Sequence, residues 1–182
     1  MGGAGVPLSR LGKQIAEAAA ALDAIGAPYA LIGGLALASH KVVRATQDVD
    51  LLIEAEKADE VDAELFRLGY RCLHRSADAA NYVRGDERID LLYASRPIAR
   101  HLLAAAAAGK TALGELRVVG AEGLIGFKLQ ALANDPRRTQ DLEDIRALLR
   151  ANRVSLDMEE LRGYFRLFDR ETLLDELLRE IH

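Results

Sequence analysis

The stretch Asp48–Glu54 (DVDLLIE) most narrows what this chain can fold into. Its apolar residues Val49, Leu51, Leu52 and Ile53 predict a buried strand. Strand side chains alternate between faces, so Asp48 and Asp50 share one face while Val49 and Leu51 share the other. Two carboxylates roughly 7 Å apart along one strand repel each other unless a cation lies between them. In an apolar strand, two unpaired charges are costly. The plainer alternative is a strand-end Asp48 and a solvated Asp50, and a lone D-x-D does not decide between the two.

The surrounding sequence adds weight to the first reading. Tyr29–Ile32 (YALI) reads as a short buried strand ended by Gly33-Gly34, and Leu35–Ser39 starts a short helix. A glycine pair there lets the backbone approach a phosphate closely and aims free N–H groups at it. A tight turn with no ligand has the same sequence. Arg88–Tyr93 (RIDLLY) repeats the pattern of DVDLLIE and brings a third carboxylate, Asp90, on another apolar strand. Oxygen-only ligands suit a hard cation such as Mg2+, and three carboxylates from two strands can hold two such ions around a triphosphate.

The rest of the chain reads as a mixed α/β half followed by an all-helical half. Ser9 caps a predicted helix that runs to about Ile25, with Gly26 as its left-handed stop. A helix from about Lys57 to Leu68 follows the central strand. Tyr70–Leu73 and Asn81–Val83 read as further strands. Pro97 suits the first turn of a helix continuing to about Ala108, closed by Gly109. Leu113–Val119 is a marginal strand. Glu122–Asn134, Thr139–Asn152, Leu156–Phe168 and Glu171–Ile181 are predicted helices. The fold class expected is α/β (α+β), with residues 1–120 as the α/β domain and 121–182 as a C-terminal helical region packed on it.

Composition excludes several classes. The 182 residues carry a formal net charge of −4, against the basic balance of proteins that coat nucleic acid. A local basic rim is still open if the fold gathers Arg44, Arg71, Arg75, Arg84, Arg137 and Arg138. No apolar run reaches the roughly 18 residues of a membrane helix, and residues 1–10 lack the apolar stretch of a signal peptide and read as a frayed leader. Cys72 is the single cysteine, so no intrachain disulfide forms and a reduced, cytoplasmic setting is the default. Its thiol is expected to be a small core group. His40, His74, His101 and His182 show no metal-ligand spacing, though His40 is near enough to the glycine pair to line a pocket there.

The segment LIGGLALASH…RATQDVDLLI resembles the signature of the nucleotidyltransferase superfamily built on the DNA polymerase β palm. In that signature a Gly-Gly or Gly-Ser pair precedes D-x-D, and a third Asp follows. Thirteen residues separate Gly34 from Asp48, at the long end of the usual spacer. Arg44, Thr46, Asp48 and Asp50 match the R-x-T-x-D-x-D form frequent in the branch that includes AbiEii-like toxins. LIGFKLQALANDPRRTQDLEDIRALL is similar to that branch's C-terminal motif, with Lys128, Arg137 or Arg138, Asp141 and Asp144 at the matching positions. Gln140 stands where the branch often has Lys.

The resemblance implies a mixed palm sheet with flanking helices and a C-terminal helical bundle. It implies a Mg2+-dependent enzyme that transfers a nucleoside monophosphate from a nucleoside triphosphate to an acceptor hydroxyl on an RNA 3′ end, a protein or a small molecule. Asp48, Asp50 and Asp90 would bind metal, and Asp90 would help deprotonate the acceptor. Gly33 and Gly34 would cradle phosphates, with Arg44 and Lys128 as further nucleotide contacts. A toxin role would add an antitoxin partner. Asp141 and Asp144, one helical turn apart, can also pair with Arg138 and Lys128 to hold the helical region in place. The alternative is a non-catalytic module of the same fold that binds a nucleotide or a partner.

Overall fold

The computed structural model describes residues 9–111 and 114–181. Of the leader expected at residues 1–10, residues 1–8 lie outside them, as do Leu113 and His182, whereas Ser9 and Arg10 already begin a helix. Helix α1 (Arg10–Ala24) opens where Ser9 accepts a hydrogen bond from the Gly12 N–H at 3.1 Å. It stops at Gly26, whose φ of 62° is left-handed. Strand β1 (Tyr29–Leu31), short helix α2 (Gly33–Ser39) and strand β2 (Asp48–Glu54) follow. A 3-10 turn leads into helix α3 (Ala58–Arg67), and a meander of β3 (Arg71–Arg75), β4 (Ala79–Arg84) and β5 (Glu87–Ala94) comes next.

Helix α4 (Pro97–Ala105) is shorter than the sequence predicts. The chain leaves the helix at Ala106, and Ala107–Thr111 form strand β6, paired antiparallel with β7 (Gly114–Val118). Alanine favours a helix locally, but pairing with β7 overrides that preference. Gly109 is therefore no helix stop. It lies where an added Cβ would be 2.9 Å from Val118 Cγ2, so it permits close packing in the hairpin.

The seven strands among the described residues make one mixed sheet in the order β3-β4-β5-β2-β1-β7-β6. Strand β2 is at its centre, parallel to β5 and antiparallel to β1. Val49, Leu51 and Ile53 lie in register with Ile89, Leu91 and Tyr93, and all six are buried on one face. Arg75 on that face reaches Asp59 and Asp62 of α3, which places this helix behind the sheet.

Helices α5 (Ala121–Asn134), α6 (Thr139–Asn152), α7 (Met158–Leu167) and α8 (Glu171–Glu180) complete the chain. Helix α5 packs against α2, α6 and α7. Gly126 of α5 allows this approach, since a Cβ there would meet the Tyr164 ring at 3.1 Å. Cys72 departs from expectation: it sits on the edge strand β3, only partly buried, with its thiol toward the His74 carbonyl. No described helix is long and apolar enough to cross a membrane.

Candidate active site

The parallel register of β2 and β5 sets Asp50 beside Asp90, with Asp48 two residues back along β2 on the same face. Each of the three is half-buried. They line a cleft of about 400 Å³ with Gly33, Gly34, Arg44, Thr46, Lys128 and Arg138. Asn81 of β4 pairs with Asp90 and donates to its Oδ1 at 2.7 Å. Sequence reasoning does not find Asn81, because only the β4–β5 register gives it this neighbour.

The glycine pair is shaped by these acids. Gly33 has φ of 63°, and a Cβ on it would lie 2.1 Å from Asp50 Oδ2. A Cβ on Gly34 would lie 2.8 Å from Thr46 Cβ. The Gly34 N–H points at the Asp50 carboxylate. Gly33→Ala is therefore expected to cost about 1–3 kcal/mol through backbone strain and the clash, and to weaken nucleotide binding. Urea denaturation beside nucleotide titration checks this; wild-type values in both would contradict the close approach.

Burial pushes the Asp50 carboxyl up to about 6, helped by Asp90 and Asp48, against the smaller opposing effects of the Gly34 N–H and Lys128. Three carboxylates facing one another suit an added cation. Among the described residues, no three His, Cys, Asp or Glu side chains already close around one point. Asp50 turns to the Gly34 N–H and Asp90 to Asn81. The donor set is all oxygen and fits Mg2+.

The opposite wall is cationic. Lys128 is 7% exposed, and its Nζ donates to Asp144 Oδ2 at 2.6 Å and Asp141 Oδ1 at 3.1 Å. Arg44 Nη1 reaches Asp144 Oδ2 at 2.5 Å, and Arg138 Nε reaches Asp141 Oδ2 at 2.5 Å. Gln140 donates to Asp144 Oδ1 at 3.1 Å. Burial favours the neutral form of Asp141, but Arg138 and Lys128 outweigh it and hold the carboxyl below its usual range. Three cations thus share two buried carboxylates and leave one positive charge in excess beside Asp50. Lys128 is an anchor of α6 on α5 as well as a cleft residue.

Other expected contacts are absent from the cleft. His40 Nε2 lies 2.8 Å from the Val119 carbonyl and ties α2 to the end of β7. The expected rim assembles only in part: Arg75 pairs with Asp59 and Asp62, Arg84 with Glu17 and Glu87, and Arg137 with Asp135. Only Arg44 and Arg138 of that set line the cleft. A second cleft of about 530 Å³ lies at the other end of β2, near Asp23, Glu54 and Arg117. It is six residues from Asp48, roughly 20 Å along the strand, and has no in-register carboxylates.

No protein-family model matches the chain, and no curated protein sequence does. Solved structures do. The antibiotic-resistance factor ANT(2″)-Ia superposes in its solution structure with a TM-score of 0.69 at 23% identity, over 94% of this chain and 97% of that one. Its crystal structure in complex with adenylyl-2″-tobramycin gives 0.68 at 22% identity, over 88% and 98%. The lincomycin-bound lincosamide antibiotic adenylyltransferase LnuA gives 0.57 at 13% identity, over 79% and 98%. The likeness is one of architecture: this chain has the nucleotidyltransferase fold.

Proposed function

We propose that this protein is a Mg2+-dependent nucleotidyltransferase that moves a nucleoside monophosphate from a nucleoside triphosphate to an acceptor hydroxyl. The observation that carries the reading is the register of β2 and β5. It sets Asp48, Asp50 and Asp90 on one wall of a cleft, beside the Gly33-Gly34 turn and facing a surplus of positive charge. The nucleotidyltransferase fold supports it.

Asp48 and Asp50 would hold Mg2+ with Asp90, and the metal would supply charge neutralisation for the triphosphate. The open backbone at Gly33 and Gly34 leaves room for phosphate oxygens, and Arg44 and Arg138 offer guanidinium groups at the rim. Asp90 takes the proton of the acceptor hydroxyl. The acceptor oxygen then bonds to the α-phosphorus as the bond to the bridging oxygen breaks, and pyrophosphate leaves with that electron pair. Asn81 holds the Asp90 carboxylate in place for this step.

The test is incubation with Mg2+, each labelled nucleoside triphosphate and total RNA or lysate, beside Asp50→Ala. Label should reach an acceptor only with the intact protein. Equal, metal-independent results from the two proteins would sink the reading and leave a non-catalytic binding module. The R-x-T-x-D-x-D form and the buried Lys128–Asp141–Asp144 set favour a toxin role held in check by an antitoxin. Expression should then arrest growth, and Asp50→Ala should relieve the arrest.

A further inference from the structure

The face that carries the three aspartates continues past the cleft onto β4 and β3. Register places Asp50, Asp90, Asn81 and His74 in one row across β2, β5, β4 and β3. A parallel row holds Asp48, Arg88, Val83 and Arg71. The opposite face of these strands is core, with Ala80, Tyr82, Ile89 and Leu91 buried. On the aspartate face Arg71, His74 and Arg88 are exposed, while Asn81 and Val83 are half-buried. An open platform therefore adjoins Asp90, where an acceptor must approach.

Charge on these strands is divided by face. The two arginines on the core side, Arg75 and Arg84, each pair with two carboxylates. Arg71 and Arg88, on the aspartate side, have no ion-pair partner among the described residues. Arg88 is two residues from Asp90, roughly 7 Å along β5, within reach of an anion attached close to a hydroxyl at Asp90. The acids next to Arg88 in sequence are engaged elsewhere: Glu87 lies on the core side and pairs with Arg84, and Asp86 in the β4–β5 turn pairs with Arg10.

On the nucleotidyltransferase reading above, we infer that the acceptor bears a phosphate next to the hydroxyl that receives the nucleotide, with Arg88 and Arg71 as its specificity-determining contacts. Guanidinium groups bind phosphate with paired, charge-assisted hydrogen bonds. The same groups repel a polyamine. The platform thus selects against a polycationic sugar such as tobramycin, which ANT(2″)-Ia carries as its adenylyl derivative. The acceptor hydroxyl gives its proton to Asp90 and bonds to the α-phosphorus, pyrophosphate departs, and the acceptor's own phosphate stays unchanged on Arg88.

Direct binding tests this without turnover. The full chain is titrated, with Mg2+ and a non-hydrolysable nucleoside triphosphate analogue, against a fluorescent short RNA with a free 3′ hydroxyl. Ribose 5-phosphate and tobramycin serve as competitors. Arg88→Glu and Arg71→Glu should each weaken RNA binding at least about tenfold, with Arg88→Ala and Arg71→Ala falling between, and salt should weaken wild-type binding. Arg166→Glu on α7 should leave it unchanged. Displacement by ribose 5-phosphate assigns the site to one phosphate; RNA binding that depends on the arginines but resists this competitor assigns it to a polynucleotide end. Equal RNA affinity in wild type and both Glu variants would overturn the inference, as would tobramycin binding tighter than RNA and strengthened by either Glu variant. Binding of the analogue alone is measured separately, and its failure counts against the nucleotidyltransferase reading instead.

Discussion

Asp50→Asn should remove nucleotidyl transfer and at the same time stabilise the metal-free protein. The loss of activity, on the order of 10²–10³-fold, follows from deleting a charge on which the metal and triphosphate depend. The gain in stability follows from the carboxyl's position. In the folded chain it titrates near 6, against 3.8 for an ordinary aspartate, because it is buried against Asp90 and Asp48. The folded state therefore holds this proton more tightly than the unfolded chain. The contribution is fully present below about pH 4 and is lost as pH rises through about 6. At pH 7 the ionised group costs about 3 kcal/mol relative to its protonated form.

The metal-free wild type should accordingly gain stability as pH falls from 7.5 to 5. Asp50→Asn should flatten that dependence, and Mg2+ should stabilise wild type at pH 7.5 but not the variant. Thermal denaturation across this range, with and without Mg2+, checks all three. A pH-independent midpoint in the metal-free wild type would contradict the crowding of charge around Asp50.

Lys128→Met should destabilise the protein by about 3–5 kcal/mol, because removing one member of a buried ion pair strands the others. Asp141 and Asp144 would keep only Arg138, Arg44 and Gln140, and the first two guanidinium groups are partly solvated. Methionine keeps most of the volume, so the loss reports charge rather than a cavity. Urea denaturation measures it. A change below about 1 kcal/mol, within the range of an exposed pair, would show that Lys128 is not bound to these aspartates. Loss of nucleotide affinity with that stability unchanged would then make it a phosphate ligand alone.

The carboxylate strand was legible because its signal is local. DVDLLIE forms β2 over the predicted residues, and Ser9 and Gly26 begin and end α1 as their backbone preferences require. The Gly-Gly pair was also legible, though the reason it must be glycine was not: Asp50 Oδ2 fills the space a Cβ would need at Gly33. What the sequence hid depends on distant pairing. Strand β6 looks helical until β7 claims it. Arg44 meets Asp144 one hundred residues away, and His40 meets Val119. The separation of paired from unpaired arginines on β3, β4 and β5 exists only once the register assigns each to a face.

The most direct test of the site is which phosphorus is attacked. Reactions run with Mg2+, an acceptor mixture and either α- or γ-labelled nucleoside triphosphate separate the outcomes. Nucleotidyl transfer at this site places α-label on the acceptor, releases γ-label as pyrophosphate in equal amount, and fails in Asp50→Asn. Label on the acceptor from the γ-position, or equal α-labelling by Asp50→Asn, would contradict the account.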